Sequence, residues 1–556
     1  MQSLTPTKKR WSLLLALLLA VAMVAAACGG GDDENGGGGE GDDPEEAAGE
    51  PTPGGKVIYG LEAENSGGWC LAEGQLAISG IQVARAIYDT LTVPNEKAEY
   101  VPFLAETVEP NEDFTEWTIT IREDVKFHDG TDLNAEVVKN NLDAFRGQYE
   151  GRNPLLFTFV LDNVTDVQTT DDMTVVVTTE TPWPSFDAYL FSSGRLGIMA
   201  QAQLDDADTC DTNLIGTGPF KKESWTVNES FVASKNEDYW QKDADGNQLP
   251  YLDEIEFRPI VEGEARVNAL LGGDINAMHT SGAEQIDALQ IEEENGAINL
   301  VESTEYAEVS YGMFNTKQAP FDNPIARQAA AYALDRDTLN DVRNLGLFDM
   351  ASGPFAEGEI GYLEDAGFPE YDLEKAKELV AQYEQETGEP LAFTLTTAND
   401  ASTVATAQYI QESAEQAGMD VSLKQVEQAA LINTALGGDW QAMSWRNHPG
   451  GNPDSQYVWW KSGMPTNFGG INDPELDELL DQGRATSDEA ERQEIYEEIN
   501  RLFSEKVYNL WLNWTQWDVG TATDVFGVFG PQLPDGSVPF GGLATGHSVS
   551  GMWVQQ

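Results

Sequence analysis

The sequence predicts a mixed α/β protein built from more than one folding unit. Three observations carry this. The chain has 556 residues, too many for a single hydrophobic core. Several short runs alternate apolar and polar residues with the two-residue period of a half-buried strand. Other stretches open on a side-chain cap and continue with a helical apolar stripe.

In chain order, Lys56–Leu61 (KVIYGL) is the first β-rich run. Residues 117–122 (WTITIR) alternate strictly and predict a second strand, with Asp129-Gly130 supplying a turn. Residues 173–179 (MTVVVTT) predict a third. Asn323 is placed to cap a helix that has Pro324 at its first position, where the missing N–H costs nothing. Asp473-Pro474 repeats that start before ELDELL. Thr486 and Glu489 have capping-box spacing, and Ile495, Ile499, Leu502 and Phe503 then fall on one helical face. No short internal repeat is present, which argues against a solenoid or propeller.

Charge narrows the function. With 31 Lys+Arg against 95 Asp+Glu the formal net charge is −64. Nucleic acid and anionic membrane surfaces need basic patches, so both are argued against as partners. A hydrophobic content of 41% with 10% aromatics is enough to build cores. Self-repulsion of this size predicts that added salt raises stability by screening it. A melting temperature equal in low and high salt would contradict that.

The N-terminus reads as an export signal. Lys8, Lys9 and Arg10 precede an apolar run at residues 11–27, shorter than the roughly 20 residues of a typical membrane span. The run ends Ala25-Ala26-Ala27-Cys28-Gly29. This resembles a bacterial lipoprotein signal, cleaved before a cysteine that is then lipidated, although Ala25 stands where a larger aliphatic residue is usual. Residues 29–55 are Gly-rich with nine acids and no base. They predict a tether, about 30 Å long as a flexible coil. Removing three basic residues with the signal and setting the tether's nine acids aside leaves the body near −58. Beyond Cys28 only Cys70 and Cys210 remain. In an exported chain they suggest one disulfide, with two buried free thiols as the alternative.

Catalytic and metal motifs are largely missing. The four histidines, His128, His279, His448 and His547, show no ligand spacing. No phosphate loop ends in Gly-Lys-Ser/Thr, and no G-x-S-x-G elbow occurs. No cofactor or metal is expected.

Several blocks in order carry a family resemblance. They are AIYDTL (86–91), WTITIR (117–122), VKFHDG (125–130), GTGPF (216–220), NEDYW (236–240), FN (314–315), PFD (320–322), RQA (327–329), ALDR (333–336) and NDPELD (472–477). Together the chain resembles the solute-binding proteins of ABC importers, specifically the large peptide/nickel class. The resemblance implies a two-lobe periplasmic-binding-protein-like fold of type II, with an extra domain in lobe one and a hinge. It implies lobe one at 56–303 (with about 88–214 as the extra subdomain), lobe two at 304–515, and a return to lobe one at 516–556. Residues 1–27 and 28–55 are signal and tether. It further implies a monomer, lipid-anchored on the outer face of the cell membrane, that captures peptides or related small organic solutes and hands them to a membrane permease. A secreted hydrolase and a surface adhesion or sensor lipoprotein are the alternatives.

The motif blocks themselves read mostly as structure. Specificity is expected in the loop at 443–454 (MSWRNHPGGNPD), whose position matches the family loop lining the cleft. Dipeptide- and oligopeptide-binding members carry an aspartate a few residues after the Trp, which pairs with the peptide amine. Here Arg446, Asn447 and His448 follow Trp445, with no acid until Asp454. A guanidinium at a cleft can grip a carboxylate bidentately, so the expectation is an anionic ligand group on Arg446 with Trp445 packing beside it. An ion pair between Arg446 and an internal acid is the alternative. Trp69 is the candidate for the opposite wall, or else a core residue beside the disulfide.

Overall fold

The structure is a computed structural model that describes residues 49–65, 67–74, 76–154, 157–447 and 451–556. The expected signal, Cys28, the tether up to residue 48, and His448 lie outside the described residues. The strands used below are β1 (Lys56–Leu61), β2 (Ala105–Pro110), β3 (Glu116–Ile121), β4 (Val164–Asp171), β5 (Thr174–Thr179), β6 (Phe220–Thr226), β7 (Ser230–Lys235), β8 (Glu254–Pro259), β9 (Ala277–Thr280), β10 (Ile298–Phe314), β11 (Ala392–Ala398), β12 (Asp420–Val426), β13 (Ala442–Asn447) and β14 (Asn509–Ala522). The helices are α1 (Ile78–Ile87), α2 (Ala283–Glu294), α3 (Pro324–Ala333), α4 (Ala401–Gln416), α5 (Pro474–Ala485) and α6 (Glu489–Lys506).

Among the described residues an eleven-stranded mixed sheet runs in the order β12-β11-β13-β10-β14-β9-β1-β8-β7-β6, with the short strand Asp349–Met350 on β14. β1 is parallel to β8 and β9, and β11 is parallel to β12 and β13. The long antiparallel pair β10 and β14 joins these two parallel groups. β2, β3, β5 and β4 make a separate antiparallel sheet.

Two large hydrophobic cores result. One runs from Val57 to Ala277 and takes up the chain again from Trp517 to Met552. The other is built between Ala307 and Trp514. β14 feeds both, with Leu510, Trp511 and Trp514 in the second core and Trp517 and Val519 in the first. Nearly every residue of β14 is buried, as expected of a strand covered on both faces.

Local signals in the sequence have local counterparts. Trp117, Ile119 and Ile121 of β3 point inward while their neighbours do not. Asn323 and Asp473 cap α3 and α5 by accepting from the N–H groups of Ile325 and Glu475. The expected capping box is corrected by two residues. Asp488 caps α6, accepting from Glu491 N, because Thr486 already ends α5. The tether also ends early: Thr52 Oγ1 donates to Val554 O at 2.9 Å, and Gly54 N to Tyr251 O at 2.8 Å.

The motif blocks converge on one buried carboxylate. Asp89, from AIYDTL, accepts from Thr217 Oγ1 at 2.9 Å and Trp240 Nε1 at 2.9 Å, and from Tyr239 OH at 3.2 Å. Burial pushes its carboxyl up to about 6, against the pull of those three donors. His128 Nε2 lies 3.0 Å from Gly218 O, and Gly216 N donates to its Nδ1 at 3.3 Å. GTGPF needs its glycines because a Cβ on Gly216 would lie 2.0 Å from Ile87 O. These blocks therefore weld one corner of the first core.

Candidate functional site

In an open sheet, ligands sit in the crevice beyond the carboxyl ends of parallel strands. Here four such ends carry polar groups. Glu62 follows β1, Ser281 follows β9, Asp400 stands two residues beyond β11, and Arg446 lies near the end of β13. Asp400 also caps α4, accepting from Thr403 N at 2.9 Å.

Arg446 is the centre of this group. Its Nη1 donates to Ser281 Oγ at 3.1 Å and lies 3.5 Å from Glu308 Oε2, and its Nη2 lies 3.6 Å from Glu62 Oε1. Its guanidinium carbon is 5.9 Å from the centre of the Trp517 ring. Trp517 Nε1 in turn donates to Glu308 Oε2 at 3.0 Å. Glu308 sits beside an irregularity in the β10–β14 pairing, where the register shifts after Ser303.

The electrostatics follow from burial and charge. Glu308 and then Glu62 and Asp400 hold the guanidinium firmly protonated. Burial pushes both Glu62 and Glu308 up, and Arg446 pulls both back down. Arg446 thus has internal acids beside it, as in the second of the two readings drawn from the sequence. Trp445 packs edge-on against Phe468 with ring centres 5.6 Å apart. Asn447 donates to Gln456 Oε1 and turns toward the following segment.

Trp69 is placed elsewhere. It is 1% exposed and packs edge-on against Trp225 and Phe231, at 5.6 and 5.3 Å. Beside it Cys70 and Cys210 form a disulfide with Sγ atoms 2.07 Å apart. Trp69 is therefore a core residue in this form and not a wall of the crevice, because its ring serves the packing around that bridge.

Asp454, the first acid after Trp445, belongs to a different cluster. It is fully buried, pairs with Arg484 Nε at 3.0 Å and accepts from Trp183 Nε1 at 2.7 Å. Tyr189 OH donates to its carbonyl and accepts from Arg484 Nη2 at 2.7 Å. Arg492 Nη2 adds a bond to Ser185 Oγ at 3.1 Å. Trp183 and Tyr189 belong to the first core, whereas α5 and α6 pack into the second. This polar clasp joins the two.

Sequence reasoning missed Glu62, Ser281, Glu308 and Asp400. Position after a predicted strand end was the one available signal for Glu62. Among the described residues no group of three His, Cys, Asp or Glu side chains is placed to hold a metal. Among them, too, no helix is long and apolar enough to cross a membrane.

Residues 99–469 match the family model described as "Bacterial extracellular solute-binding proteins, family 5 Middle". The chain belongs to this family. The family 5 assignment agrees with the curated relatives. The chain is 27% identical over 431 residues to the glutathione-binding protein GsiB of Pectobacterium atrosepticum, covering 75% of this chain and 80% of that one. It is 31% identical over 314 residues to GsiB of Salmonella typhimurium, where the match spans 56% of this chain and 58% of the relative. Among solved structures, the binding protein AgaA of A. tumefaciens, in complex with agropinic acid, superposes with a TM-score of 0.79 at 28% identity. The match covers 90% of this chain and 99% of that one. The oligopeptide-binding protein AppA of Bacillus subtilis, in complex with a nonapeptide, gives 0.77 at 22% identity over 91% and 100%, a likeness of fold. The two-lobe type II fold expected from the sequence is thus established. As a family 5 member the chain is an exported solute-binding protein of the ABC-importer type and not an enzyme, which removes the hydrolase alternative.

Proposed function

We propose that this protein is the lipid-anchored capture subunit of an ABC importer, taking up a peptide or a related small organic solute. The observation that carries the reading is the crevice at four strand ends, where groups from both cores face each other around Arg446. Lobe one would comprise 56–303 and 516–556, with an extra subdomain at about 88–214, and lobe two 304–515. β10 and β14 would be the hinge, since hinge bending needs few connections and these strands pass between the cores. Cys28 would carry the lipid and the segment before Thr52 the reach from the membrane. The solute would lie against Trp445, Arg446, Asn447 and His448. Relatives that bind glutathione and a neighbour solved with agropinic acid support a small, polar, amino-acid-derived solute. The closed monomer would then dock on its permease.

Native mass spectrometry of the purified body is expected to show a co-purified small solute. Re-adding that solute to stripped protein is expected to raise the melting temperature without any turnover. Conversion of the solute into product would overturn the reading.

A further inference from the structure

A cavity of about 50 Å³ lies beside the first core and shares no residue with the group around Arg446. It is enclosed between the last turn of α1, which carries Arg85, and the returning segment at 529–550. Such a volume holds roughly three to five water-sized groups. Its wall combines polar Arg85, Ser548 and Ser550 with the rings of Phe103, Phe191 and Phe540. Asp89 borders it too, but that carboxylate already accepts from Thr217, Trp240 and Tyr239.

Arg85 is a cation with donors to spare. Its Nη1 donates to Gly546 O and, at 3.4 Å, to Thr545 O. Its Nε and Nη2 have no acceptor among the described residues, and it makes no ion pair among them. The guanidinium carbon lies 5.5 Å from the centre of the Phe191 ring. Removing a guanidinium from water without a paired anion is costly. Burial pushes Arg85 down to about 10, and Asp89 pulls it only part of the way back. A second donor stands in the same wall. Ser548 Oγ and Ser550 Oγ are 2.8 Å apart, so one hydroxyl proton serves the pair and the other is left for a further acceptor. Ser550 is 1% exposed, which leaves bulk water little part in supplying that acceptor.

We propose that this cavity binds a short aliphatic monocarboxylate, of the size of acetate or propionate, at a site separate from the solute crevice. One edge of the Arg85 guanidinium would take the carboxylate as a fork, and the remaining serine proton would add a third bond. The methyl or ethyl group would lie among Phe103, Phe191 and Phe540. Asp89 in the wall favours a single negative charge over a double one. Bound there, the anion would tie α1 to the C-terminal segment and stabilise the folded chain by mass action. The inference goes beyond the capture reading and stands without it.

The test compares melting curves of the full chain in sodium chloride, acetate, propionate and pivalate at one ionic strength, so that charge screening is common to all four. Acetate and propionate are expected to give a saturable rise in melting temperature above chloride. Pivalate, too bulky for the cavity, is expected to match chloride. Arg85→Gln should move the half-saturating propionate concentration up by about tenfold or more, the loss of a charge-assisted contact. If that variant does not fold, saturation-transfer NMR of propionate on the parent decides the matter. Transfer that acetate competes away and pivalate does not supports the proposal, and absence of transfer overturns it. Equal melting in all four salts also overturns it, as does a saturable rise that Arg85→Gln leaves unchanged. A saturable rise in chloride alone would make the cavity a halide site and sink the carboxylate.

Discussion

Arg484→Ala is expected to lower stability by about 3–5 kcal/mol, read as a fall in the urea midpoint, because it strands a buried charge. Asp454 is fully buried and Arg484 nearly so. After truncation Asp454 would keep the Trp183 indole N–H, at 2.7 Å, but no cation bonded to it at that range. The Arg484 guanidinium carbon also lies 3.5 Å from the Tyr457 ring centre and 4.9 Å from that of Trp183, so packing and cation–π attraction are lost together. The double variant Asp454→Leu with Arg484→Met separates the causes. Removing both charges and keeping the volume is expected to restore much of the loss, since well-packed apolar pairs often match buried ion pairs. A double variant as unstable as Arg484→Ala would show instead that shape at the join between the cores, not charge, sets the cost.

This clasp shows which features were legible in the sequence. Strand β3 and the caps of α3 and α5 were readable because each depends on neighbours within a few residues. The α6 cap was misplaced for an equally local reason, since Asp488 competes with Thr486 and wins once α5 claims the threonine. Glu62, Ser281, Glu308, Asp400 and Arg446 come together only through strand order, and no periodicity links residue 62 to residue 446. Asp89 was equally hidden, one acid among 95, although its family block was recognised. The sequence left Arg446 between a ligand carboxylate and an internal acid, in a body near −58. Charges at 3.5 Å outweigh a global charge that salt screens over about 10 Å, so the neighbours of Arg446 decide what it can hold. Trp69 stayed between two readings because an aromatic beside a Gly-rich turn has the same sequence appearance whether it lines a crevice or packs a core.

Replacing Cys70 and Cys210 together by serine is expected to cost about 3–5 kcal/mol. The argument is topological. The bridge joins positions 140 residues apart, and loop-closure entropy for a ring of that size is about 5 kcal/mol at room temperature, near the upper end of what disulfides supply. The ring encloses the β2-β3-β5-β4 sheet, so the bond ties the far side of that insertion back to the segment after β1. Native contacts at the bridge add to the entropy. Cys70 N donates to Asp211 Oδ1 at 3.0 Å, and Arg152 Nη1 donates to Cys70 Sγ at 3.2 Å. Both sulfurs are shielded, since neither cysteine is more than 1% exposed. A thiol reductant is therefore expected to act slowly on the folded protein and fast once urea opens it. Melting curves of the parent, the reduced parent and the double serine variant provide the check. A loss below about 1 kcal/mol in the variant would mean that the unfolded chain stays compact around residues 70–210 without the bond, and that the entropy of the open loop is not what the bridge removes.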